Sequence, residues 1–170
     1  MIIVLNGPLG VGKSTLAEAL AESIDKCVML DGDHLIAVNP PPEDEVEYLH
    51  STIALLVAHH RRFGYRHFVI DHFWRTPDAL ADLRRRLLDI DSDADIYCFL
   101  LTLPLGENVR RIEQRQSTRA IDEREFERQT LADERKALLE STEGNLGEPL
   151  DVSAPPEDLV AEILRRLGVR

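Results

Sequence analysis

The run Gly7-Pro8-Leu9-Gly10-Val11-Gly12-Lys13-Ser14 most constrains what this chain can fold into. Its spacing is G-x-x-x-x-G-K-[ST], and its surroundings suit it. The apolar run Ile2-Ile3-Val4-Leu5 precedes it, and Ser14 to Ile24 follows with Leu16, Leu20 and Ile24 on one helical face. Gly7, Gly10 and Gly12 let the backbone curl so that the N–H groups from Val11 to Thr15 can point at phosphate oxygens. The positive end of the following helix adds to the attraction. Lys13 can reach the β- and γ-phosphates of a nucleoside triphosphate, and the Ser14 hydroxyl can ligate Mg²⁺.

The rest of the chain alternates short apolar runs with helical patterns. Cys27 to Leu30, His67 to Ile70, Ile96 to Leu103 and Leu150 to Val152 are expected as strands. Ile96 to Leu103 is the longest, so it is expected at the centre of the sheet with both faces covered. Helices are expected from Glu43 to about Phe63 (Val46, Leu49, Ile53, Leu56 and His60 inward) and from Thr76-Pro77 onward (Leu80, Leu83, Leu87 and Ile90 inward). Others run from Pro104 through Arg115, from Asp122 to about Glu140, and from Pro155 to Leu167. Pro40-Pro41-Pro42 limits Asp33 to Val38 to a short helix or loop. Five strands separated by helices, with no hairpin signal, imply an α/β fold: one domain over 1–170, a parallel sheet between two helical layers.

Composition narrows the classes. The 170 residues carry 20 basic and 31 acidic side chains, a net charge of −11, which disfavours a long nucleic-acid track or an anionic membrane surface. The longest strictly apolar run, Ile53 to Ala58, is far too short to span a bilayer. Cys27 and Cys98 lie in apolar strand-like runs and are expected as buried free thiols, and no basic leader precedes Ile2, so a cytoplasmic location is expected.

In a parallel sheet of this kind, ligands bind beyond the carboxyl ends of the strands. Asp31-Gly32-Asp33 follows the second strand and Asp71 follows the third. Phosphoryl transfer needs one carboxylate to orient the acceptor hydroxyl and another to hold hydrated Mg²⁺. Asp33, one turn further out, is the candidate base; Asp31 and Asp71 are the candidate metal ligands, Asp71 also lying near the acceptor. His34, Trp74 and Arg75 are candidate acceptor contacts. Arg110, Arg111, Arg115 and Arg119 surround a break at Gln116 to Ile121. Arg115 and Arg119 are expected on a short lid, about 116–125, that closes over the transferring group, and Arg111 beside the adenine. Glu123 to Lys136 alternates charge at helical spacing, the pattern of a solvated helix.

These features resemble the small-molecule kinases of the adenylate kinase-like P-loop group. Leu30-Asp31-Gly32-Asp33 is similar to the strand-end motif of gluconate kinases and adenylylsulfate kinases, and shikimate kinases carry a related aspartate pair. Asp71 after an apolar third strand, with Phe73 nearby, resembles chloramphenicol phosphotransferase. The resemblance implies a sheet ordered 2-3-1-4-5, ATP with Mg²⁺, and transfer to a small hydroxyl or phosphate acceptor. Three readings stay open at this point. One is a kinase of a metabolite or antibiotic. The second is a kinase of a nucleoside, a nucleotide or a 5′-hydroxyl nucleic-acid end. The third is a non-catalytic ATP-binding resistance or regulatory protein. Under each reading the protein is expected as a monomer or homodimer. The chain has no guanine-reading Asn-Lys-x-Asp.

Overall fold

A computed structural model describes residues 1–115, 121–140 and 145–169 of the chain. Five parallel strands, β1 (Ile2–Asn6), β2 (Cys27–Asp31), β3 (His67–His72), β4 (Ile96–Thr102) and β5 (Glu148–Asp151), stand in the order β2-β3-β1-β4-β5. The helices are α1 (Lys13–Ser23), α2 (Gly32–Leu35), α3 (Glu45–Arg62), α4 (Pro77–Ile90), α5 (Leu105–Arg115), α6 (Ile121–Glu140) and α7 (Pro156–Arg166).

The period-two alternation of β1 divides the core. Ile3 and Leu5 face Leu16 and Leu20 of α1 and Leu159 and Ile163 of α7. Ile2 and Val4 face Leu49, Ile53 and Val57 of α3 and Leu83 and Leu87 of α4. Every residue of β1 is buried, so the centre of the sheet is β1 and not β4. Ile96, Tyr97, Cys98 and Leu100 are only partly buried, because β4 has the edge strand β5 as its outer neighbour. A groove of about 720 Å³ runs along β4 between α4 and the approach to β5.

Helix starts follow local chemistry. Asp44 accepts from the Glu47 N–H to cap α3, and Thr76 accepts from the Ala79 N–H ahead of Pro77 to cap α4. Within α3 the inward stripe is Leu49, His50, Ile53 and Val57, whereas Val46 is 49% exposed in the first turn. Cys27 and Cys98 are free thiols and only half-buried rather than fully so. Desolvation still pushes them up, to about 11 and about 12 respectively. Among the described residues no helix is long and apolar enough to cross a membrane.

Candidate active site

The carboxyl ends of β1, β2 and β3 meet at one edge. Because β2 and β3 pair in register, Asp31 lies beside Asp71, with Asp33 and His72 one step further out. The loop between β1 and α1 turns through left-handed glycines. Gly10 has φ +74, and a Cβ there would sit 2.5 Å from Ile112 Cγ1; Gly12 has φ +104. No side chain caps α1 and no acidic residue lies in its first turn, so its leading N–H groups stay available to an anion.

Lys13 Nζ donates to the carbonyls of Gly7 (2.8 Å) and Pro8 (3.2 Å), inside the curl of the loop. Burial lowers its pKa, against the pull of Asp33, Glu134, Asp71 and Asp31. Arg111 donates to the Val11 carbonyl (3.1 Å) and the Val152 carbonyl (2.9 Å). A cavity of about 310 Å³ lies there, lined by Val11, Gly12, Thr15, Arg111, Ser153 and Pro155, so four of the expected nucleotide-binding residues meet in one place.

On the other side of Lys13, Ser14 Oγ donates to Asp71 Oδ2 at 2.8 Å. Asp71 Oδ1 is buried without a partner, and desolvation pushes the carboxyl up to about 6. A hydroxyl and a desolvated carboxylate are hard oxygen donors, and the unsatisfied Oδ1 is what a divalent cation relieves, so this pair fits Mg²⁺. Asp31 is differently employed. It accepts the His34 N–H (3.1 Å) as the N-cap of α2 and pairs with the His34 ring (2.9 Å).

The acceptor side centres on Asp33. Its Oδ1 is 2.8 Å from His72 Nδ1, and this hydrogen bond is the first cause of its lowered pKa. Both residues line a cavity of about 770 Å³ together with Phe73, Arg75, Phe126 and Glu134. The Arg75 guanidinium lies 5.4 Å above the Phe73 ring. His34 is absent from that wall, its side chain 85% exposed beside Asp31. Trp74 lies one layer below. It is buried in the apolar core, its ring edge against His72, and its Nε1–H donates to His50 Nε2 at 3.0 Å. Trp74 therefore carries the wall rather than forming it, and it lines a smaller cavity of about 230 Å³. The lid expectation is only partly described: Arg115 ends α5 with its side chain outside the described residues, and Arg119 lies wholly outside them.

Sequence reasoning missed several residues. Glu134 was expected on a solvated helix; instead it and Leu131 are buried, and Glu134 Oε2 accepts the Leu9 N–H of the phosphate loop at 2.6 Å. Only the i, i+3 spacing of Leu131 and Glu134 hinted at an inward face. Asn108 Nδ2 donates to the Leu9 carbonyl, and Arg135 donates to Asn108 Oδ1. Asn6 ties the Trp74 backbone to the Leu146 carbonyl. His50 and Asp82 complete the buried network under Trp74.

Comparison with known proteins agrees with this geometry. The chain superposes on a tunicamycin resistance protein from Deinococcus radiodurans with a TM-score of 0.68 and 17% identity, over 99% of this chain and 96% of that one. A gluconokinase from Sinorhizobium meliloti gives 0.69 and 19%, over 98% and 90%. A shikimate kinase from Bacteroides thetaiotaomicron gives 0.59 and 16%, over 99% of each chain. At such identities the likeness shows the fold. No curated protein matches the sequence. The family model described as an AAA domain matches residues 3–132, a span holding the phosphate loop and Asp31, Asp33 and Asp71, and the chain accordingly belongs to this family of P-loop domains.

Proposed function

We propose that the protein transfers the γ-phosphate of Mg-ATP to a hydroxyl of a small molecule in the cytoplasm. The observation that carries this reading is Asp33, oriented by His72, on the wall of a cavity of about 770 Å³. Asp33 and Lys13 are near enough for each charge to act on the other. A protein that only bound ATP would have no use for a carboxylate held at that position. The similar folds include a gluconokinase, a shikimate kinase and a tunicamycin resistance protein, which supports a small acceptor.

The loop amides and Lys13 bind the phosphates, and Arg111 borders the nucleotide cavity. Ser14 and Asp71 would hold the Mg²⁺, which neutralises charge on the β- and γ-oxygens when bound. Asp33 accepts a hydrogen bond from the acceptor hydroxyl. As the new O–Pγ bond forms and the Pγ–O bond to ADP breaks, the hydroxyl proton passes to Asp33 and then to water. A lowered pKa suits this duty, because the transition state is loose and the carboxylate must be ionised to orient the hydroxyl. Arg115 and Arg119 are assigned to closing over the transferred group. The test is acceptor-dependent ADP release by the purified protein, with Lys13→Ala as control. Acceptor-stimulated release that needs Lys13 supports the reading; nucleotide binding with no release for any acceptor overturns it.

A further inference from the structure

The solvent face of α3 carries a large share of the exposed apolar surface. Nine large apolar side chains are exposed among the described residues, and five lie on this helix or just past its end: Val46, Tyr48, Leu55, Phe63 and Tyr65. Leu55 is 69% exposed and Phe63 71%. Tyr48, Leu55, His59 and Phe63 follow at spacings of seven, four and four, so they form one line along the helix, away from the inward Leu49, Ile53 and Val57. The small Ser51 and Thr52 lie between Tyr48 and Leu55. His59 packs on Phe63 with ring centres 5.0 Å apart, so that end of the line is a continuous aromatic surface. Apolar side chains scattered singly are ordinary on a monomer, whereas a line of them along one helix marks a contact surface.

Charge divides the same helix end to end. Glu43, Asp44, Glu45 and Glu47 stand at its start, and His59, His60, Arg61 and Arg62 close it. Glu47 is paired with Arg86 and Arg61 with Asp91. Glu45 and Arg62 are exposed and have no ion pair among the described residues. The helix dipole favours this polarity within a single chain. It does not account for the apolar line between the charged ends. A surface that is its own complement when turned end for end accounts for both.

We infer that α3 is the face by which two copies of this chain associate, antiparallel across a two-fold axis. An axis between positions 53 and 54 sets Glu45 beside the partner's Arg62, Tyr48 beside the partner's His59 and Thr52 beside the partner's Leu55, each contact occurring twice. The two ion pairs then stand about 25 Å apart, one at each end of the apolar line. The apolar middle supplies the stabilisation, and the charged ends fix direction and register. A parallel pairing would set acid against acid and base against base, and a uniformly charged partner would match one end and oppose the other. Each copy carries a net charge of −11, and the mutual repulsion keeps the association weak. A dissociation constant of about 1–100 µM is expected for so narrow a surface. Association is measured without nucleotide or acceptor, so it stands or falls apart from the phosphotransfer reading.

Sedimentation equilibrium of the full chain, from about 1 to about 300 µM in about 0.15 M salt, tests this. A reversible equilibrium between monomer and dimer is expected. Leu55→Glu replaces an exposed side chain, so circular dichroism should show an unchanged fold while the dimer weakens at least about thirtyfold. Glu45→Arg and Arg62→Glu each place two like-charged contacts in the dimer, and each should weaken it at least about tenfold. With both substitutions in one chain the pairs are restored in reverse, and the affinity should return to within about threefold of the natural protein. An equal mixture of the two single variants should likewise form mixed dimers more readily than either forms its own. Damage to the fold cannot produce such recovery; only the antiparallel register does. A monomer throughout the concentration range, assembly beyond a dimer, or a dimer that survives Leu55→Glu would overturn the inference. So would single charge reversals without effect, or no recovery when they are combined.

Discussion

Ser14 and Asp71 are 57 positions apart in the chain and 2.8 Å apart in space, the hydroxyl donating to Oδ2 of a carboxylate whose other oxygen is buried and unpaired. This contact joins the phosphate loop to the end of β3. It also leaves Asp71 in a poor environment for an ion, which is why its pKa rises to about 6.

The pH dependence of stability follows from that rise. The unfolded carboxyl titrates near 3.8 and the folded one near 6, so between these values the folded state binds the extra proton. Stability should therefore fall as pH rises from about 4 to about 6 and level off above, by up to about 3 kcal/mol at about 1.4 kcal/mol per pH unit. Asp71→Asn should remove most of this slope. Its thermal midpoint at pH 8 should rise by several degrees while the response to added Mg²⁺ is lost. Thermal unfolding of both proteins across pH, with and without Mg²⁺, checks this.

Gly10→Ala tests the loop. A methyl at φ +74 is strained, and it would meet Ile112 Cγ1 at 2.5 Å and Asn108 Nδ2 at 3.0 Å. The loop must shift, so nucleotide affinity should fall by at least about tenfold, measured by calorimetry with ATP.

His50 tests the support under the acceptor wall. It is fully buried, accepts from Trp74 Nε1, and donates from Nδ1 to Asp82 Oδ2 at 2.8 Å. That hydrogen bond is also the first cause of the depressed Asp82 carboxyl. His50→Ala strands the indole N–H and opens a cavity, so it should destabilise the fold by about 2–4 kcal/mol. With Trp74→Phe in the same chain the two losses should sum to less than their separate values, because the shared hydrogen bond is counted once. Denaturant unfolding of the four proteins in this cycle gives the coupling.

How much was legible in advance depended on the range of the interaction. The phosphate loop, its flanking strand and helix, and the aspartates after β2 and β3 are local patterns, and the structure brings Lys13, Ser14, Asp33 and Asp71 to one edge. The sheet order came from resemblance, and the placing of β4 went wrong because an apolar run does not say whether its neighbour is central or an edge. Glu134 reaches Leu9 across 125 positions, and Trp74 reaches His50 through the packing of α3 against the end of β3. No spacing rule encodes such contacts; they exist only once the layers are assembled. Asp31 stands beside Asp71 as the strand ends suggested, and its second task, capping α2 by accepting the His34 N–H, is a local contact that its composition did not reveal.

The most direct test is turnover by Asp33→Asn beside the natural protein and Lys13→Ala. ADP release from Mg-ATP is followed against a panel of small hydroxyl acceptors, with ATP affinity measured in parallel. The expected result is acceptor-stimulated release that falls by about 10²–10⁴-fold in Asp33→Asn with ATP affinity unchanged, and that disappears in Lys13→Ala. Release undiminished in Asp33→Asn would contradict the role given to that carboxylate and turn attention to Asp71.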